Sequence, residues 1–265
     1  MAMTDFHEAP LLAEQDGPVY RMTFNRPHRL NAATPEMEDL IVAGCEYVNR
    51  TPEIRVVVFD GATGRKPSFM AGGDIEGFRG MESADDVRAV ESHAERTLRA
   101  IENLRVPAIA ALDGPVIGQG ALLAACCDIL VAGPGVRFGF PIARTVGNCL
   151  SVRNLTRLTE LVGVPLTRRM IMRAALLGIG DLVRAGAVSD TVDTHDELRD
   201  LAMRIAQEMA ALAPLTLSFT KSSLLRAREP GSGNEDLVVR SYLSDDSREA
   251  VSAFLGNRSP CWRGR

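Results

Sequence analysis

The chain has 265 residues, 46% of them hydrophobic, with 30 Lys and Arg against 34 Asp and Glu for a formal net charge of −4. That length suits one large domain whose core needs no disulfide or metal staple, and the balanced charge argues against a general affinity for nucleic acid or an anionic membrane. The five cysteines (Cys45, Cys126, Cys127, Cys149, Cys261) are odd in number and form no C-x-x-C pair; with no basic-then-apolar leader and no run of about 18 apolar residues, the expectation is a soluble cytoplasmic protein with reduced thiols.

Val19 to Phe24 alternates in the manner of a strand and ends at the turn-forming Asn25-Arg26-Pro27. Thr34 as N-cap with Pro35 at the first helical position opens a helix through Met37, Leu40, Ile41 and Tyr47. Ile54 to Phe59 is a β-branched, nearly continuous apolar run, the pattern of a strand buried on both faces. Ser83 and Asp86 form a capping-box pattern ahead of a helix that stops before Pro107. Ala108 to Leu112 reads as a strand, Gly120 to Cys127 as a short apolar helix, and Ile129 to Ala132 as another strand.

Alternating β and α units predict an α/β fold. Beyond Asp190 the pattern turns helical: Thr194 and Glu197 cap an amphipathic helix through Leu212, and a last helix is expected from Leu237 to Phe254. No metal-ligand spacing is present, so small molecules or proteins are the expected partners.

Four separated stretches carry a resemblance. Asn25-Arg26-Pro27-His28-Arg29-Leu30-Asn31-Ala32 is similar to N-R-P-x-x-x-N-A, and Phe69-Met70-Ala71-Gly72-Gly73-Asp74-Ile75 to F-x-A-G-[AG]-D-[IL]. Asp113-Gly114 and Gly118-Gln119-Gly120, followed by Ala124-Ala125-Cys126-Cys127-Asp128-Ile129, resemble N-G-x-x-x-G-G-G and A-x-x-C-D-[IL]; Asp245 to Phe254 resembles a common tail. In this order and spacing the chain resembles the crotonase (enoyl-CoA hydratase/isomerase) superfamily over almost its whole length.

The resemblance implies a spiral of repeated ββα units over residues 1–195. It also implies a C-terminal helical region over 196–265 that builds a homotrimer or a dimer of trimers. The implied substrate is an acyl-CoA thioester, with coenzyme A as part of the substrate and no tightly bound cofactor. A thioester carbonyl gains negative charge when its α-carbon is deprotonated, and preorganised N–H groups stabilise that enolate. The family's positions assign this oxyanion hole to the backbone N–H groups of Gly73 and Gln119. Gln119 stands where glycine is usual, so its backbone must have negative φ for the role to survive. His28, Leu30, Ala71, Asp74, Ile75, Leu122 and Ile142 fall at substrate-binding positions.

Both glutamates that hydratases of this family use as acid and base are replaced, by Leu122 and by Ile142. Each such group contributes a rate factor of about 100 to 10,000, so two-carboxylate hydration is not expected. Gly147-Asn148-Cys149 resembles the Gly-Asn-Asp of the family's chloroaromatic-CoA dehalogenases and makes Cys149 a candidate nucleophile or base, with Arg144 as its possible perturber. The readings are therefore an enolate-forming lyase or isomerase, a thioesterase or C–C hydrolase in the same scaffold, or a non-catalytic acyl-CoA binder. Glu76, His93 and His195 read as surface residues, Asp128 as structural, and Cys126 and Cys127 as core.

Overall fold

The computed structural model describes residues 9–74, 81–229 and 231–265. Strand β1 (Leu11–Asp16) pairs antiparallel with β2 (Val19–Phe24), and a 3-10 turn (Pro27–Arg29) leads into helix α1 (Pro35–Arg50). Thr34 caps α1 as the sequence predicts, its hydroxyl accepting from Met37 N at 3.2 Å. Then follow β3 (Val56–Gly61), α2 (Ala84–Glu102), β4 (Ala108–Leu112), β5 (Pro115–Ile117), α3 (Gln119–Ala125), β6 (Ile129–Ala132) and β7 (Arg137–Gly139).

The remaining elements are α4 (Val152–Met172), α5 (Ile179–Arg184), β8 (Asp190–Thr191), α6 (His195–Ala210), α7 (Pro214–Arg226), α8 (Glu235–Tyr242) and α9 (Asp245–Leu255). The α/β expectation holds. The single last helix does not: Ser244 takes an extended conformation and its hydroxyl accepts from Ser247 N at 3.0 Å, so a new cap starts α9 where one helix was expected to continue.

The main sheet runs β1-β2-β3-β4-β6-β8, parallel from β2 onward. Both faces of its central strands are covered, which is why β4 and β6 are apolar throughout and β3 nearly so. Val57 and Phe59 of β3 point into the large core shared with Met37, Ile41, Leu98 and Leu123, while Val56 and Val58 meet Leu198, Leu201, Ala202 and Ala206 of α6. The first helix of the C-terminal region thus closes the second face of the sheet.

Expected as a surface residue, His195 is half-buried. Its Nδ1 meets Asp113 Oδ2, and its Nε2 lies 2.5 Å from Thr63 Oγ1, so the first turn of α6 is fastened to the loops that follow β3 and β4.

A buried ion cluster joins α2 to α4. Arg157 has no exposed side-chain area and donates to Glu102 at 2.6 and 3.0 Å, to Glu95 at 2.6 and 3.1 Å, and to Asn154 at 2.6 Å. Desolvation pushes the Glu102 carboxyl up, but hydrogen bonds and charge from Arg157, then Arg228, outweigh it and hold the group below the usual glutamate range. That contribution is present above the unfolded-state pKa and is lost as pH falls through the depressed folded value. Replacing Arg157 by Ala leaves Glu102 in the core with Arg228 as its remaining cation, and we expect a loss of about 3 kcal/mol at neutral pH, read from the urea midpoint.

Candidate active site

The site is built on a second, smaller ladder beside the main sheet. Its strands β5 and β7 pair in parallel, and single bridges extend it: Ala33 with Gly73, Met70 with Val116, and Phe138 with Leu177. Through it the 25–32 stretch and the two glycine-bearing motifs become neighbours. Met70 N donates to Pro115 O at 3.1 Å and Ile117 N to Met70 O at 2.9 Å. On the other side Ala71 N donates to Leu30 O, Ala33 N to Gly72 O and Asp74 N to Ala33 O, at 3.0, 2.8 and 2.8 Å.

The 25–32 segment owes its shape to Asn31, which is fully buried with φ 57. Its amide donates to Ala62 O and Ser68 O and accepts from Arg26 N, so one side chain satisfies three backbone groups of the loops around it. Leu30 has φ 50, and its carbonyl accepts from Ala71 N and from Ser68 Oγ. His28 lies in the 3-10 turn and Ala71 is half-buried on the facing segment. Arg26 bonds Ala32 O at 2.6 Å and pairs with Asp74 at 3.2 Å, so Asp74 helps to hold the two motifs together.

Gly72 (φ 104) and Gly118 (φ 58) sit at the abutting turns: a Cβ on Gly118 would lie 3.4 Å from the Gly72 Cα, and one on Gly72 3.6 Å from Ile117 O. The residues that follow them are Gly73 and Gln119. Neither backbone N–H has an acceptor among the described residues. Gln119 opens α3 and is not among the positive-φ residues, so its N–H belongs to the orphan donors of a helix start. The bulk of the next residue is excluded, since a Cβ on Gly120 would lie 2.4 Å from Met70 O.

Leu122 on α3 and Ile142 after β7 are both buried in the main core. Ile142 O accepts from Thr145, Val146 and Gly147, closing the turn toward Cys149. Cys149 is exposed and makes no hydrogen bond among the described residues, and the Arg144 guanidinium turns to Arg173 O at 3.5 Å. Ile75 and Glu76 lie outside the described residues. Asp128 accepts from Ala108 N and from Lys221 Nζ, a structural tie between β4, α3 and α7. A cavity of about 400 Å3 elsewhere, lined by Asp60, Thr63, Asp113, His195 and Arg199, touches neither Gly73 nor Gln119.

Two residues not assigned to the site from sequence stand beside Gln119. Its carboxamide donates to Glu38 Oε1 at 3.1 Å, and Glu38 Oε2 lies 3.3 Å from His93 Nε2. His93, expected on the surface, is half-buried because α2 packs on α1. Burial pushes the Glu38 carboxyl up from the ordinary glutamate range; His93 and Arg96 oppose this and Asp39 adds to it. The sequence signal for Glu38 is its place on the stripe Glu38, Ile41, Cys45, Val48, whose other members are apolar and buried.

Among the described residues no helix is long and apolar enough to cross a membrane, and no cluster of His, Cys, Asp and Glu could hold a metal. The family model for enoyl-CoA hydratase/isomerase matches residues 14–265. A 2,3-dehydroadipyl-CoA hydratase of Escherichia coli is 30% identical over 260 residues, spanning 96% of this chain and 99% of that protein. A short-chain-enoyl-CoA hydratase of Clostridium acetobutylicum is 28% identical over 94% of this chain and 95% of its own. The crystal structure of an enoyl-CoA hydratase/carnithine racemase from Magnetospirillum magneticum superposes with a TM-score of 0.88 at 25% identity, covering 97% of this chain and 96% of that one. The chain therefore belongs to the enoyl-CoA hydratase/isomerase family of the crotonase superfamily.

Proposed function

We propose that this enzyme acts on an acyl-CoA thioester by stabilising the enolate of its carbonyl with the backbone N–H groups of Gly73 and Gln119. The observation that carries the reading is the pair of unclaimed donors at two abutting glycine turns. Fixed donors in a site of low dielectric stabilise charge as it develops and need no reorganisation, and one such donor is worth about 2.7 to 4 kcal/mol. The N-terminus of α3 is too short to act alone; the turn at Gly72 supplies the second donor.

Coenzyme A enters as part of the substrate, along His28, Leu30, Ala71 and Asp74, while Leu122 and Ile142 wall the acyl group. These two apolar side chains carry no proton. The reaction is therefore an enolate-forming lyase or isomerase step and not hydration between two carboxylates. Hydrolysis through Cys149 has weaker support, because among the described residues no cation or base is paired with that exposed thiol. Three of the five free thiols are buried, and burial holds Cys45 as a thiol by pushing it up to about 12, which suits a reducing cytoplasm.

Self-association to a homotrimer or a dimer of trimers is supported by the apolar side chains left exposed on the last helices, among them Leu224 (67%), Tyr242 (76%), Phe254 (85%) and Leu255 (80%). Sedimentation velocity should give a trimer or larger, and Phe254→Glu with Leu255→Glu should yield a smaller species; a monomeric parent protein would overturn the assembly reading.

Gly73→Pro removes one donor outright. Across a panel of short, long, branched and aromatic enoyl-CoA thioesters we expect turnover to fall about 100-fold or more in that variant, with its circular dichroism unchanged. Turnover that survives the substitution would sink the oxyanion assignment, and ordinary crotonyl-CoA hydration would sink the exclusion of hydratase chemistry.

A further inference from the structure

The enolate site as described has donors for the oxygen but no group for the proton. We propose that Glu38 is that group: its carboxyl, held at the oxyanion turn by the Gln119 carboxamide and backed by His93, removes and returns a proton of the bound acyl chain. This rests on the enolate reading above.

Geometry favours Glu38 over the other carboxyls of the core. Asp60 lies 3.0 Å from Arg21, Glu102 lies 2.6 Å from Arg157, and Asp246 accepts two backbone N–H groups, so each is already engaged by a cation or by backbone donors. Asp113 meets His195 at the cavity that touches neither Gly73 nor Gln119. Glu38 is 9% exposed and faces a neutral amide and an imidazole, with no Lys or Arg in ion-pair contact among the described residues. Arg96, the nearest cation on α2, is engaged by Asp39. A buried carboxyl without a fixed counter-charge can change protonation state at modest cost. His93 supplies a second observation: its Nε2 is buried, has no hydrogen-bond partner among the described residues, and lies 3.3 Å from Glu38 Oε2, a ring nitrogen left to the Glu38 carboxyl.

The same geometry gives a reason for glutamine at position 119. Its N–H is one proposed oxyanion donor and its side chain bonds the proposed base, so a single residue couples the two halves of the site. Glycine there would leave the Glu38 carboxyl without that anchor.

The step balances without a co-reactant. The Glu38 carboxylate takes a proton from the α- or γ-carbon; the C–H bond breaks, the O–H bond forms, and the electron pair moves onto the thioester oxygen held by Gly73 and Gln119. Return of a proton from the carboxyl to the other carbon shifts the double bond, and exchange of the carboxyl proton with solvent before that return carries label into the acyl chain. One carboxyl suffices for this, whereas adding water across the bond calls for two.

The test is hydrogen–deuterium exchange at the α- and γ-carbons of 2-enoyl-CoA and 3-enoyl-CoA thioesters in D2O, followed by mass spectrometry, with acyl-CoA affinity measured by calorimetry. The parent enzyme should exchange, and Glu38→Gln should lose about 100-fold or more of the rate while keeping its affinity; Glu38→Asp should restore part of it. The carboxylate is the active form, so the rate should rise with pH through a midpoint above the ordinary glutamate range. The groups facing Glu38 are Asp39 on its own helix, His93 and Arg96 on α2, and the neutral Gln119 on α3. Because His93 lowers the Glu38 pKa, His93→Asn should move that midpoint upward, a shift that a purely structural role would not produce. Exchange unchanged in Glu38→Gln, or abolished instead by Cys149→Ser, overturns the assignment and leaves the enolate reading standing. An absence of exchange in the parent enzyme, with acyl-CoA bound, overturns both.

Discussion

The carbonyl of Met70 occupies the space a side chain on Gly120 would need, at 2.4 Å from the position of its Cβ, and the arrangement around the site depends on that close approach. With a glycine there, the 67–74 segment can lie along β5, exchange hydrogen bonds with it, and still reach the 25–33 segment on its other side. The same crowding recurs further along: a Cβ on Gly114 would fall 2.0 Å from Pro67 O, and one on Gly61 2.0 Å from Ser68 O. Three glycines thus clear a path for one irregular strand. Its pairing partners leave the N–H of Gly73 unclaimed, and the turn at Gly118 does the same for Gln119.

An irregular strand running beneath the surface carries backbone groups that need partners. Asn31 meets much of that need, and its cost is a left-handed backbone at both Leu30 and Asn31. Asparagine tolerates that conformation better than most residues because its side chain bonds locally. The N-R-P-x-x-x-N-A stretch is therefore a support for the glycine loop. The Arg26 pair with Asp74 belongs to the same support.

Much of the fold was legible where the signal is local. Strands β2, β4 and β6 and the caps of α1, α2 and α6 follow from alternation, apolar runs and capping residues within a few positions. Strand β1 was missed because only Leu11 of its six residues is buried, so neither face alternates. Strands β5 and β7 have three residues each and exist through each other, which no window of sequence reveals. Helix α4 is also hard to read, since Gly163 with φ 78 and Pro165 interrupt its period. In the candidate site, the glycine motifs pointed to the proposed donors, but Glu38 was hidden among Glu36 and Asp39 as one more acid near a helix start, where acids are ordinary. Only packing of α2 and α3 on α1 separates it from them.

Leu122 and Ile142 bear on the proton chemistry as strongly as any polar residue. Both are buried, and in the proposed site an apolar wall at the two positions would keep water from the thioester and lower the local dielectric. Lower dielectric strengthens the interaction of an oxyanion with Gly73 and Gln119, and it also disfavours ionisation of a nearby carboxyl. On the proposed reading, the two residues that stand in place of the hydratase acids thus favour a site with strong oxyanion donors, little water, and one carboxyl whose proton is held less loosely than in solution. Such a site is better suited to relocating a proton the substrate already has than to delivering a water molecule.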